Sequence, residues 1–152
     1  PLAQRHATGV DAEDLAAAVG ATANRDREGR WTTPYQVVRS LCLFAAHAAG
    51  VEAIETLFAN FRDPAGLARA CEEARRDGFS GMLAIHPDQV DAITAGYAPD
   101  AAELSHARAV VDAFERAGGA GAVQLEGKML DKPHLVQALR VIAMAQGTAT
   151  AA

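Results

Sequence analysis

Aromatic residues make up only 5% of this 152-residue chain: one Trp, two Tyr and five Phe. That scarcity argues against an aromatic-rich β-sandwich. The apolar half of the composition is dominated by Ala, which favours helices packed closely through small side chains. Cysteine is scarce as well. Cys42 and Cys71 both fall inside apolar helical patterns, the setting of buried free thiols and not of a disulfide framework, which implies a reduced, cytoplasmic environment. No apolar run approaches the roughly 20 residues of a membrane span, and His47 interrupts the best of them, Leu41 to Ala49. The N-terminus shows no signal-peptide organisation. Basic charge is also short. Fourteen Lys and Arg against nineteen Asp and Glu leave a formal charge of -5, which speaks against a surface that tracks nucleic-acid phosphates. Arg25, Arg27 and Arg30 form the one basic run, but Asp26 and Glu28 interleave it. It reads as a solvated loop, with a grip on an anionic ligand as the alternative.

At this length a single domain with its own core is expected. The chain opens on Pro1 and not on Met, which points to a native chain that begins earlier. Asp11 to Val19 predicts a short amphipathic helix closed by Gly20, and Ala21 to Trp31 an irregular polar stretch. Thr33 and Pro34 then open a helix whose apolar stripe runs from Val37 to Ala48 before Gly50 stops it. Val51 to Phe58 reads as a buried strand. The same grammar returns with Asp63 as cap, Pro64 in the first turn, Arg75 and Arg76 at the C-terminal dipole and Gly78 as terminator. Met82 to Ile85 predicts the next strand and Asp88 to Ala95 a short helix. Asp100 and Glu103 have capping-box spacing for a helix through Ala117. Ala122 to Leu125 reads as a further strand, and Pro133 to Ala145 as the last helix, ending at Gly147. Short strands apolar on both faces, alternating with helices, predict an α/β chain built on a parallel sheet.

The chemistry-bearing residues cluster in two loop-like segments, Gly78 to Gln89 and Leu125 to Pro133, where apolar strands give way to Pro-punctuated turns. Functional loops of α/β scaffolds sit at such places. Within the first, Ile85-His86-Pro87 puts an imidazole at a strand C-terminus. That is a position for contacting a ligand, or for a histidine satisfied by a loop carbonyl. In the second, Asp131 lies just ahead of Pro133, where it can cap the orphan amides of the last helix or act as a general base. Lys128 nearby suits a phosphate or carboxylate, or plain solvation. Asp14 stands in the predicted first turn of a helix. It either complements the helix dipole or offers one oxygen ligand to Mg²⁺. His6, His47, His106 and His134 lack partners at metal-site spacing and receive no catalytic role.

Ala12-Glu13-Asp14-Leu15-Ala16 with Gly20, Arg39-Ser40 with Ala45 to Gly50, Asp63 to Leu67, Ile85-His86-Pro87 with Gln89, and Gly127 to Pro133 follow one another in an order that resembles the citrate lyase beta-subunit family, which includes malyl-CoA and citramalyl-CoA lyases. The resemblance runs over nearly the whole chain. It implies a partial TIM (β/α)8 barrel, the C-terminal half followed by a helical extension, with residues 1–121 as barrel, 122–147 as extension and 148–152 as a disordered tail. It further implies a Mg²⁺-dependent carbon-carbon lyase of an acyl-CoA thioester with a small keto- or hydroxy-acid partner, assembled as a homo-oligomer, trimer or hexamer. Asp14 would ligate the metal, Ile85, His86 and Pro87 would line the CoA end, and Asp131 would handle the proton of the acetyl methyl group at a neighbouring subunit's site. Met82 stands where the family often has Lys, Asp11 where it has a glycine, and the family's CoA-contacting Arg and second metal-ligating Glu belong to the other barrel half. A non-catalytic assembly or CoA-binding role and an acyl-CoA thioesterase are the alternatives.

Overall fold

A computed structural model describes residues 7–149, with side chains described through residue 146. Contacts divide the chain into two compact units, the first ending at Tyr97 and the second beginning at Ala98. The division falls ahead of residue 122, where the resemblance starts its extension.

The first unit is α/β. Its centre is a three-stranded parallel sheet in the order β1 (Ala7–Thr8), β2 (Glu52–Glu55), β3 (Gly81–Met82). Helices α1 (Ala12–Val19) and α2 (Thr33–Ala49) join the first two strands, and α3 (Pro64–Asp77) joins the next two. Parallel neighbours need such crossovers, because a tight turn cannot return the chain to the same end of a sheet. Helix boundaries follow local chemistry. Asp11 caps α1 through the Glu13 amide, Asp63 caps α3 through the Gly66 amide, and Gly20, Gly50 and Gly78 close α1, α2 and α3 in the left-handed conformation. Leu43, Ala46, Ala53, Leu67, Cys71, Ala74, Phe79, Ile93 and Tyr97 form the core. Here α4 (Val90–Tyr97) lies so close to α3 that a Cβ on Gly96 would stand 2.6 Å from the Cys71 Cβ. Both cysteines are free, and burial pushes the Cys71 thiol up.

Strands β2 and β3 are shorter than the runs predicted for them. The Leu83 amide still donates to the Glu55 carbonyl at 3.1 Å, but the Ile85 and His86 amides turn to the side-chain oxygen of Gln89 and leave the ladder. Ala21 to Trp31 forms no helix or strand, as expected, and its second half is held by an Arg25–Trp31 bridge and by Asp26, which accepts from the Arg30 and Glu28 amides.

The second unit holds α5 (Ala101–Arg116), the antiparallel hairpin β4 (Ala122–Leu125) and β5 (Lys128–Asp131), and α6 (Lys132–Ala149). The Asp100–Glu103 capping box forms as its spacing predicts. The alternating pattern predicts Ala122–Leu125 as a strand of the parallel sheet. It pairs instead with the next four residues, because Glu126 and Gly127 both take positive φ and make a two-residue turn. Helix α6 continues past Gly147, so the expected tail starts inside a helix, and 150–152 lie outside the described residues. Ala107, Val110, Phe114, Leu130 and Ala138 make this unit's core. Among the described residues no helix is long and apolar enough to cross a membrane.

Candidate active site

The three parallel strands run in one direction, so the loops that leave their C-terminal ends emerge together, the usual place for ligand-handling residues in α/β sheets. The first loop runs from Gly9 to Asp11 into the first turn of α1, which carries Asp14, the second spans Thr56 to Arg62, and the third Leu83 to Gln89. Two buried side chains tie them. The Thr56 hydroxyl accepts from the Ala12 amide at 3.0 Å and joins the first loop to the second. Gln89, only 1% exposed, donates from Nε2 to the Phe58 carbonyl at 2.9 Å while its Oε1 accepts from the Ile85 and His86 amides. A single side chain thereby shapes Ile85-His86-Pro87 and fixes it to the second loop. Gly9 brings the first loop in: a Cβ there would lie 2.5 Å from the Ile54 carbonyl oxygen of β2.

Asp14 sits in the first turn of α1 with an exposed side chain, where its charge complements the helix dipole. Its neighbour Glu13 is engaged by the Asn24 amide at 2.8 Å. Among the described residues no three His, Cys, Asp or Glu side chains converge as a metal would need. His86 stacks on Phe61 with ring centroids 4.7 Å apart and 13° between planes, and the Arg62 guanidinium lies over the other aromatic, 5.4 Å from its centroid. The His86 Nδ1 accepts from the Asp88 amide at 3.2 Å, so the neutral ring carries its proton on Nε2. Its side chain remains 39% exposed, and Ile85 is half exposed.

Beneath the sheet end, Arg39 joins α2 to the sheet. Its Nε donates to buried Glu55 at 2.5 Å and its Nη1 to Asp77 at 2.7 Å, while the guanidinium lies 4.6 Å from the Phe79 centroid. Burial acts to lower the Arg39 pKa, but the hydrogen bond to Asp77 and the charge of Glu55 outweigh it and hold the pKa above its ordinary value. Beside this pair a cavity of about 30 Å³ is lined by Trp31, Tyr35, Cys42, Thr56 and neighbours. It has room for a water or two and none for a thioester. The basic run is absorbed by its own turn. Arg25 lies 3.6 Å from the Trp31 centroid, and Arg30 pairs with Asp26 and Glu28. Burial lowers the Arg25 pKa, against the charges of Glu13 and Glu55.

Asp131 belongs to the second unit. Period-two alternation along β5 buries Leu130 and turns Met129 and Asp131 outward. The Asp131 carboxylate pairs with His134, Oδ1 to Nδ1 at 2.5 Å. Sequence reasoning assigned His134 no partner. The available signal was helical spacing, since residues three apart at the opening of a helix face one another. Gln89 was also missed as an organiser, because nothing local marks a glutamine as buried. Asp14, in the first turn of α1, and His86, on the loop after β3, thus follow strands of one sheet in the first unit, while Asp131 belongs to the second.

No family model matches the chain. It is 35% identical over 138 residues to a (3S)-malyl-CoA thioesterase of Cereibacter sphaeroides, covering 90% of this chain and 47% of that protein. To the mitochondrial citramalyl-CoA lyase of Rattus norvegicus it is 33% identical over 135 residues, 88% of this chain and 38% of the relative. Among solved structures it superposes on CitE of Mycobacterium tuberculosis, in complex with magnesium, acetoacetate and coenzyme A, with a TM-score of 0.79 at 33% identity. That match covers 92% of this chain and 51% of the other. The chain spans about half the length of the curated relatives it matches. By this similarity over about 90% of its length, the chain is a partial-length homologue of the citrate lyase beta-subunit family.

Proposed function

We propose that this chain carries one part of the active site of a Mg²⁺-dependent carbon-carbon lyase acting on an acyl-CoA thioester of the malyl-, citramalyl- or citryl-CoA type. The observation that carries the reading is the shared sheet end, where Thr56 and Gln89 bind the Asp14 and His86 loops to the loop between them. In this reading the three parallel strands belong to a TIM (β/α)8 barrel completed by residues beyond this chain. Leu83 and Ile85, on the loop that leaves β3, stay 42% and 50% exposed, apolar surface that further barrel residues would cover.

Asp14 offers an exposed carboxylate, and Mg²⁺ is commonly held through one or two carboxylates with water in its remaining positions. The donor set of this chain therefore fits one ligand's share, Asp14. When bound, the ion supplies Lewis-acid polarisation of an oxygen on the keto- or hydroxy-acid partner. The Nε2–H of the part-exposed His86 ring, with Ile85 and Pro87 beside it, meets the CoA end of the substrate. Asp131 takes the proton from the acetyl methyl carbon in the condensing direction and returns it in cleavage. Assembly as a trimer or hexamer would bring Asp131 to a neighbouring copy's site. A reduced, cytoplasmic setting fits the two free thiols.

The test is thioester cleavage with Mg²⁺ by the chain, alone and mixed with the other half of the Cereibacter relative. Asp131→Asn is expected to lower turnover by about 100-fold or more; full activity in that variant would remove Asp131 from the mechanism. The similarity to a malyl-CoA thioesterase favours a second reading, hydrolysis of the thioester itself. Products separate the two: acetyl-CoA marks the lyase and free CoA the thioesterase. CoA binding with self-association and no turnover would mark a non-catalytic role.

A further inference from the structure

The geometry points to His134 as the positioning residue of Asp131, holding one carboxylate oxygen through Nδ1–H so that the other faces substrate. This rests on the reading of Asp131 as the proton-handling acid and extends it to a residue with no assigned role. The backbone fixes only where Asp131 begins. It pairs with Ala122 at the end of the hairpin, next to buried Leu130, and α6 starts at the following residue without a loop. Its side chain is 57% exposed, so the backbone leaves the carboxylate free to rotate. His134 removes that freedom. Its Nδ1 lies 2.5 Å from the Asp131 Oδ1 and 3.2 Å from the Asp131 amide nitrogen. One ring nitrogen cannot accept from the amide and donate to the carboxylate at once. At 2.5 Å two lone pairs would repel, so a proton lies between them, and the shorter contact is Nδ1–H donating to Oδ1.

Oδ2 is then the free base. As it accepts a proton from the acetyl methyl carbon, the C–H bond breaks, its electron pair passes into the thioester enolate, and an O–H bond forms on Oδ2. Nothing leaves His134. Its contribution is orientation, and misplacement of a reacting group by about 1 Å can cost on the order of 100-fold in rate.

The test follows exchange of the acetyl-CoA methyl protons in D2O with Mg²⁺ by proton NMR, together with ¹⁵N NMR of the His134 ring, on the whole chain. His134→Ala is expected to slow saturated exchange by roughly 10–100-fold with KM for acetyl-CoA nearly unchanged. His134→Asn, whose amide can donate from a similar place, should recover most of the rate. Wild-type exchange in His134→Ala with none in Asp131→Asn would overturn the inference and leave the role of Asp131 standing, whereas full exchange in Asp131→Asn would overturn that role itself. Where the wild-type chain gives no exchange, the ring decides. A proton on Nδ1 that is lost in Asp131→Ala, which removes the acceptor, supports the pairing, and a wild-type ring protonated on Nε2 alone overturns it.

Discussion

The two units hold their candidate groups in opposite ways. In the first, Asp14 and His86 depend on ties between residues far apart in sequence: Ala12 to Thr56, Phe58 to Gln89, Arg39 to Glu55 and Asp77. In the second, Asp131 depends on a four-residue strand, a two-residue turn and a histidine three positions on. A site assembled from distant ties cannot lose one without losing packing as well. A site assembled locally can be changed at the chemistry while the fold stands. Structural and functional substitutions should therefore be inseparable in the first unit and separable in the second.

The largest expected effect attacks the distant ties. Arg39→Ala leaves the Glu55 carboxylate, 6% exposed as a residue, without its cation, and breaking one side of a buried pair costs about 3–5 kcal/mol. Because the Arg39 side chain is itself 23% exposed, the lower part of that range is expected. Urea unfolding of the variant measures it. Arg39→Lys should recover little, since an ammonium cannot bridge Glu55 and Asp77 as the guanidinium fork does. A cost below about 1 kcal/mol would place this pair with ordinary surface bridges and weaken the contrast between the units.

Gln89→Ala comes next. It strips a partner from the Ile85 and His86 amides and from the Phe58 carbonyl, and each buried polar group left unsatisfied costs about 1–3 kcal/mol. Relaxation of an exposed loop will lessen the sum, so roughly 2–3 kcal/mol is expected. The sharper measurement is local. Amide hydrogen exchange at Ile85 and His86 should rise far more than at Ala53 in the core. Equal loss everywhere would mean that Gln89 supports the fold and not this loop in particular.

The same division explains what the sequence could reveal. Asp63 with Pro64 and Asp100 with Glu103 were readable because a cap and its amides lie within three residues. The order of the parallel strands was not readable in detail. Where β3 ends depends on Gln89 reaching back to Ile85 and forward to another loop, and no periodicity encodes that. Asp14, His86 and Asp131 stand out as candidates through the family resemblance, since residue type and position beside turns leave each an equally good structural reading. Their partners Thr56, Gln89 and His134 were missed, since partners are a property of the fold. The β4–β5 hairpin was a different failure. The Glu126-Gly127 turn hid because glutamate is not a usual residue at positive φ.

That turn supplies the smallest effect and a direct test of separability. Glu126 adopts φ of 50°, where a Cβ meets the following carbonyl at a cost of roughly 1–2 kcal/mol. Glu126→Gly relieves the clash, but glycine frees the unfolded chain by about 0.5–1 kcal/mol. The two nearly cancel, leaving a gain of about 0.5 kcal/mol, read as a small rise in the unfolding temperature of the second unit. Gly127, at φ 78°, has no such latitude, and a β-branched residue there should cost more than Glu126→Gly gains. If the local account is right, Glu126→Gly leaves the Asp131–His134 pair and the ring signals of His134 unchanged, because register is set by the length of the turn and not by its side chain. A shift of those signals without a change in stability would show that Glu126 acts on the pair through its charge, and the second unit would then be no more separable than the first.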